Sequence, residues 1–328
     1  MGPISKSQGW VYFRWIALAL GAGLFLWLIW ISDLTAVWNL LRSLRWRFFW
    51  VLVFYVVIFG LDTLGWKYAL RVGAGGGVSW LRLFRARLAG EAINYVTPTA
   101  WIGGEPVKAA LLAERYGISM ADGMASVVVA KTTFAVSMLL FILVGLGVTL
   151  ATQPTSAELI RWAGWALPVL AILLGLFLMV QFLRPFGWAA SFLARVVPGW
   201  SGRVLSGARG WDEAVVSFYR RSPGLVAWSL AFHFLGWVAG ALEVAIILWF
   251  LGIPVSLSTA FSIEALWVLF RSGAFLIPAS LGASEGIGLV VCGALGIHAA
   301  PGLALALVRR ARELAWVGLG LAEFARVR

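Results

Sequence analysis

The sequence predicts an all-α, polytopic membrane protein of six to eight transmembrane helices, built on an inverted repeat with two re-entrant broken-helix segments. Three observations carry this expectation: the composition, six long apolar stretches, and two further apolar segments interrupted in the same way. Of the 328 residues, 62% are hydrophobic and only 12% charged, where an ordinary globular protein has about 25% charged. Water is therefore not the main solvent of this chain. The 37 glycines and 20 tryptophans fit the same class, because Gly is frequent inside transmembrane helices and Trp at their interfaces.

The net charge is +12, from 26 Lys+Arg against 14 Asp+Glu. Lysine occurs only at 6, 67, 108 and 131, so the excess is mostly arginine. In a soluble protein that balance would suggest nucleic acid. In a bilayer it first indicates cytoplasmic loops and anionic lipid headgroups, and nucleic acid is not expected as a partner. One cysteine, Cys292, rules out an internal disulfide, and two histidines leave little for a metal site. No cofactor is expected.

A spanning helix needs about 20 mainly apolar residues. Residues 12–31, 48–70, 122–150, 161–183, 225–251 and 301–325 qualify. The first follows no small-residue cleavage pattern and reads as an uncleaved span. Two more segments, 78–115 and 255–297, are apolar but are broken by TPTAWIGGEP and IPASLGASEG. Broken backbone at membrane depth survives only where protein or a water-filled cavity covers it, so both are expected to be re-entrant pairs of half-helices. Their breaks fall at Pro98, Gly103 and Gly104, and at Pro278, Gly282 and Gly286.

Arginine placement sets the orientation. Residues 184–224 carry Arg184, Arg195, Arg203, Arg209, Arg220 and Arg221, whereas 152–160 has no basic residue and 252–260 no charge. The first segment is thus cytoplasmic and the other two external, and the first interrupted segment opens from the cytoplasm, flanked by the loop arginines Arg71, Arg82, Arg85 and Arg87. Both termini then fall in the cytoplasm of a bacterial inner-membrane protein. The 32–47 loop breaks the rule with Arg42, Arg45 and Arg47, and its pattern suits an interfacial amphipathic helix.

The broken segments align with each other. Glu91, Pro98 and Glu105 are spaced by seven, as are Arg271, Pro278 and Glu285, 180 residues later. VSWLRLF at 78–84 resembles VSLSTAF at 255–261, and GISMADGMASVVVAK at 117–131 resembles GIHAAPGLALALVRR at 296–310. Three alignments in one order argue for duplication, with 48–150 as the first repeat, 151–224 as a linking helix and cytoplasmic loop, and 225–325 as the second, all within one transmembrane domain. An odd number of crossings separates the copies, so they are inverted. Transporters built this way hold substrate near the midplane, at the repeat interface.

Ionisable residues inside apolar stretches are the candidate site. A Lys, Arg or Asp at a helix centre costs about 2.5–3.5 kcal/mol on the insertion scale, so such residues must share a polar cavity. Arg271, Lys108, Lys131 and Arg310 are expected to hold an anion there, since Arg grips phosphate or carboxylate through two parallel hydrogen bonds. Glu91, Glu105 and Glu285 are expected to pair with them when the cavity is empty. Arg309 and Glu313 are spaced for an i,i+4 pair. In GGEPVK, Pro106 suits a first helical turn, and Gly103 and Gly104 would let a headgroup approach the N–H groups there. Glu105 and Glu285 read equally as helix caps. Asp62 and Glu243 are either partners for the basic cluster or proton carriers. GAGGG at 73–77 lacks a following Lys-Ser/Thr and is a turn, not a phosphate loop. His233 reads as a hydrogen-bonded core residue.

The motifs E-A-I-N-x-x-x-P at 91–98, G-G-E-P-V-K at 103–108, R-S-G-A-F-L-I-P-x-x-L-G-x-x-E-G at 271–286 and R-R-A-R-E-L at 309–314 resemble the lysylphosphatidylglycerol synthase membrane-domain family, a flippase-like domain. The C-terminal stretch is similar to its hopanoid-biosynthesis-associated branch. The resemblance implies a membrane protein that moves a polar lipid between leaflets: a phospholipid, a polyprenyl-phosphate-linked sugar or a hopanoid derivative. It also implies that Glu91, Asn94, Glu105, Lys108, Arg271, Glu285 and the 309–313 run surround the headgroup cavity, and that a lipid-biosynthesis enzyme is a potential partner. With the chain ending at Arg328, lipid aminoacylation is not expected. The expected function is a lipid flippase with a basic midplane cavity and no covalent chemistry. The alternative is a membrane-embedded transferase or scaffold acting on lipid-linked substrates.

Overall fold

The computed structural model describes residues 33–70, 78–97, 103–153, 157–183, 202–273 and 282–327, with isolated positions in 23–30 and 187–191. Among the described residues the regular structure is helical, with no strand. Helix α1 (Leu34–Leu44) passes through a short 3-10 turn into α2 (Phe48–Ala69), followed by α3 (Trp80–Val96), α4 (Glu105–Tyr116) and α5 (Met120–Thr152). Then α6 (Ala157–Phe182) and α7 (Gly202–Arg221) lead to a second run, α8 (Pro223–Phe250), α9 (Leu257–Gly273), α10 (Ala283–Ala294) and α11 (Ala299–Val327). Each interrupted segment consists of a 17-residue helix and a 12-residue helix.

Local chemistry sets these boundaries. Ser79 caps α3 by accepting a hydrogen bond from the Arg82 amide, and Ser119 caps α5 by accepting one from Asp122, each satisfying an otherwise orphaned first-turn N–H. Pro106 stands in the first turn of α4, where its missing N–H costs nothing. Gly117 ends α4 with φ 67°, a left-handed conformation that a side chain would strain.

Among the described residues, three helical stretches are long and apolar enough to cross a membrane: Leu34–Ala69, Met120–Thr152 and Pro223–Phe250. They contain the expected span 122–150 and all but the last residue of 48–70 and of 225–251. The 161–183 span falls within α6 apart from its last residue, and 301–325 lies in α11, whose Arg309, Arg310, Arg312 and Glu313 interrupt its apolar character. Most of 12–31, and both Pro98 and Pro278, lie outside the described residues. At 33 residues, α5 is roughly 50 Å long and extends past a 30 Å hydrocarbon core.

The two runs interlock. Helix α2 packs along α8, α3 packs on α11, and α9 packs on α5. Small residues allow close backbone approach at these crossings: Gly320 sits against the Leu88 carbonyl and Ala92, and Gly145 against Ala265. Val51, Ile142, Ile247, Ile263, Trp267 and Leu305 form one core; Trp66, Leu83, Leu112, Val129 and Phe218 form another. Outside, Val57, Leu143, Leu173 and Trp249 are exposed, while Glu243 and Glu285 are wholly buried. That distribution, apolar outward and charged inward, inverts the soluble pattern and suits lipid as the surrounding solvent.

Candidate functional site, a charged cavity between the helix runs

A cavity of about 440 Å³ lies between the two runs, walled by α2 to α5 on one side and by α8, α9 and α11 on the other. That volume suits a small-molecule or headgroup site. Among the described residues, its lining carries six cations, Arg87, Lys108, Lys131, Arg271, Arg309 and Arg312, and six carboxylates, Asp62, Glu91, Glu105, Glu243, Glu264 and Glu313. The expectation of a basic cavity is thereby corrected. Formal charge there balances, because each cation drawn into low dielectric is matched by a carboxylate from a neighbouring helix.

On the first-run side the pairs form a relay. His233 Nδ1 lies 3.1 Å from Asp62 Oδ1, and Arg87 donates to Asp62 Oδ2 at 3.0 Å. Arg87 stands 3.9 Å from Glu91, one helical turn further along α3. Lys108 Nζ donates to Glu91 at 2.5 Å and to Glu105 at 3.1 Å, and Lys131 meets Glu105 at 2.9 Å. Asn94 holds the broken segment together. Its Nδ2 donates to Glu91 and Glu105, and its Oδ1 accepts from the Gly104 amide at 2.6 Å.

On the second-run side, Arg309 donates to Glu264 at 2.6 Å and stands 3.6 Å from Glu243, too far for a hydrogen bond to its Nε. Arg312 pairs with Glu243 and lies over the Tyr55 ring at 4.0 Å. Arg271 donates to Glu313 at 3.1 Å. Arg310 is bonded to Glu285 at 2.9 Å and to the Tyr95 hydroxyl at 3.0 Å.

Of the residues singled out in the sequence, Glu91, Glu105, Lys108, Lys131, Arg271, Arg309 and Glu313 line the cavity. Asn94, Glu285 and Arg310 stand behind the lining, joined to it through Glu91, Glu105 and Tyr95. Two expectations change. Arg309 and Glu313 do not pair with each other; both turn towards α9, where Glu264 and Arg271 complete cross-helix pairs. Gly104 does not offer a free N–H to a headgroup, because its amide is held by Asn94. Its Cα rests on the Gly90 carbonyl, which a β-carbon would overlap. Gly282 and Gly286 begin α10, with the Gly286 amide bonded to the Gly282 carbonyl at 2.9 Å.

Sequence reasoning placed Arg87 among the loop arginines, yet it is a cavity residue. The signal was its i,i+4 spacing to Glu91, which puts both on one face of α3. Trp237 and Trp267 line the cavity as well; nothing in the sequence separated them from interface anchors.

An apolar exterior around paired internal charges defines an all-α polytopic membrane protein. Residues 14–321 match the family described as the lysylphosphatidylglycerol synthase TM region, and the chain belongs to that family. It is also similar to a UPF0104 membrane protein of Methanothermobacter thermautotrophicus, 27% identical over 268 residues, which are 77% of each chain. No solved structure matches the chain.

Proposed function

We propose that this protein is a lipid flippase: the headgroup of a polar lipid passes through the charged cavity while its tails stay in the hydrocarbon. The observation that carries the reading is the cavity itself, in which charged side chains line an open volume between the two helix runs. An isolated charge placed in a medium of low dielectric costs on the order of tens of kcal/mol by solvation alone. A polar, protein-lined route removes most of that barrier, and the protein's membership of a lipid-related membrane family supports a lipid as cargo.

Lys131 and Arg271 receive the phosphate in this reading. Their side chains keep 36% and 29% exposure, against 12% or less for the other cavity cations. The two runs act as inverted copies whose broken helices are re-entrant, opening the site alternately to each face of a bacterial inner membrane. Residues 184–224 lie in the cytoplasm, and no covalent bond is made or broken. In proteoliposomes containing a fluorescent lipid, the native chain should expose inner-leaflet probe to external dithionite. Arg271→Ala should abolish this while eluting as the native protein does; full activity in that variant would refute the reading.

A further inference from the structure

We infer that the headgroup taken by this cavity is zwitterionic, carrying a phosphate and an ammonium on one neutral group. The inference rests on the flippase reading and names its substrate class.

The charge balance comes first. Because the six cations and six carboxylates of the lining are mutually paired, a net-anionic headgroup would leave this low-dielectric space with one negative charge more than its cations balance. An uncompensated buried charge is strongly unfavourable. A headgroup with one charge of each sign leaves the count unchanged.

The pairing geometry allows that exchange to close. Lys131 is the most exposed cation of the lining, and Glu91, at 26%, is its most exposed carboxylate. A phosphate that takes Lys131 from Glu105 leaves Glu105 still bonded to Lys108, at 3.1 Å, and to Asn94. An ammonium that replaces Lys108 at Glu91 leaves Lys108 on Glu105. The headgroup thus enters between Lys131 and Glu91 while Lys108 and Glu105 remain paired, and every charge keeps a partner.

The test is lipid retention. The full chain, delipidated and then offered equimolar phosphatidylethanolamine and phosphatidylglycerol with matched tails, is read by native mass spectrometry. The expected result is at least about tenfold enrichment of phosphatidylethanolamine, which corresponds to about 1.4 kcal/mol of selectivity. Glu91→Gln, which leaves six cations facing five carboxylates, should move retention towards phosphatidylglycerol; Lys131→Gln should move it the other way. Phosphatidylglycerol held as well as or better than phosphatidylethanolamine by the native chain, no retained lipid of either kind, or an unchanged ratio in both variants would overturn the inference. Selective retention without movement of either lipid in the dithionite assay would sustain it and overturn the transport reading instead.

Discussion

Arg310 reaches Glu285 across 2.9 Å, tying the long last helix of the second run to the start of the short helix before it. The Lys131–Glu105 pair makes the corresponding connection in the first run, also at 2.9 Å. The two pairs differ in surroundings. Lys131 borders the cavity with its side chain 36% exposed, whereas Arg310 is 13% exposed, is held also by Tyr95, and faces a Glu285 that is wholly buried.

Stability should respond unequally to losing the two cations. Removing the partner of a buried carboxylate costs about 3–5 kcal/mol, a loss that falls on Glu285, whereas Glu105, also buried, keeps Lys108 at 3.1 Å when Lys131 is removed. Arg310→Gln is therefore expected to lower the thermal midpoint in detergent clearly, and Lys131→Gln to change it little. Equal shifts, measured by fluorescence-detected size exclusion after heating, would show that the two pairs are equivalent.

Arg309 joins three helices, since it meets Glu264 of α9 and stands near Glu243 of α8. Arg309→Leu alone leaves buried carboxylates uncompensated and should destabilise by about 3–5 kcal/mol. The double change Arg309→Leu with Glu264→Leu removes one charge of each sign and should recover a large part of that loss. Double-mutant thermal unfolding measures the coupling, and additive effects would exclude it.

Two glycines of α5 should behave oppositely. A β-carbon at Gly145 would overlap Ala265, while one at Gly147 meets nothing within 4 Å. Gly145→Ala should cost about 1–3 kcal/mol by overpacking the α5–α9 crossing. Gly147→Ala, in open helix surface, should be neutral or stabilise by up to about 1 kcal/mol. Thermal unfolding of both variants in one detergent checks the contrast.

Topology can be read with a single thiol. Cys292 is buried, so the native chain should give little reaction with a membrane-impermeant maleimide. Arg220→Cys and Leu257→Cys both place a thiol at an exposed position. In intact cells the first should stay unlabelled and the second should label. The reverse pattern would invert the orientation proposed from the arginines.

Much of the architecture was legible because membrane insertion is governed by local hydropathy and by proline and glycine breaks. The helices at 80–96 and 257–273, and the short ones after them, fall where the interrupted segments placed them. The pairing was less legible. Lys131 and Glu105 were recognised as charges that must be matched, but the i,i+4 spacing of Arg309 and Glu313 suggested a pair that does not form. Arg87 was read as a loop arginine because sequence hydropathy does not show which face of α3 turns inward.

The sequence by itself determined the solvent of this protein, its helical class and the presence of charges that cannot face lipid, because these follow from composition and from windows of about 20 residues. Only the tertiary structure decided that the cavity is charge-balanced rather than basic. Ion pairing acts over a few ångströms between helices far apart in the chain, as in Arg271 with Glu313 and Arg87 with Asp62, and sequence spacing carries no record of which helices come together.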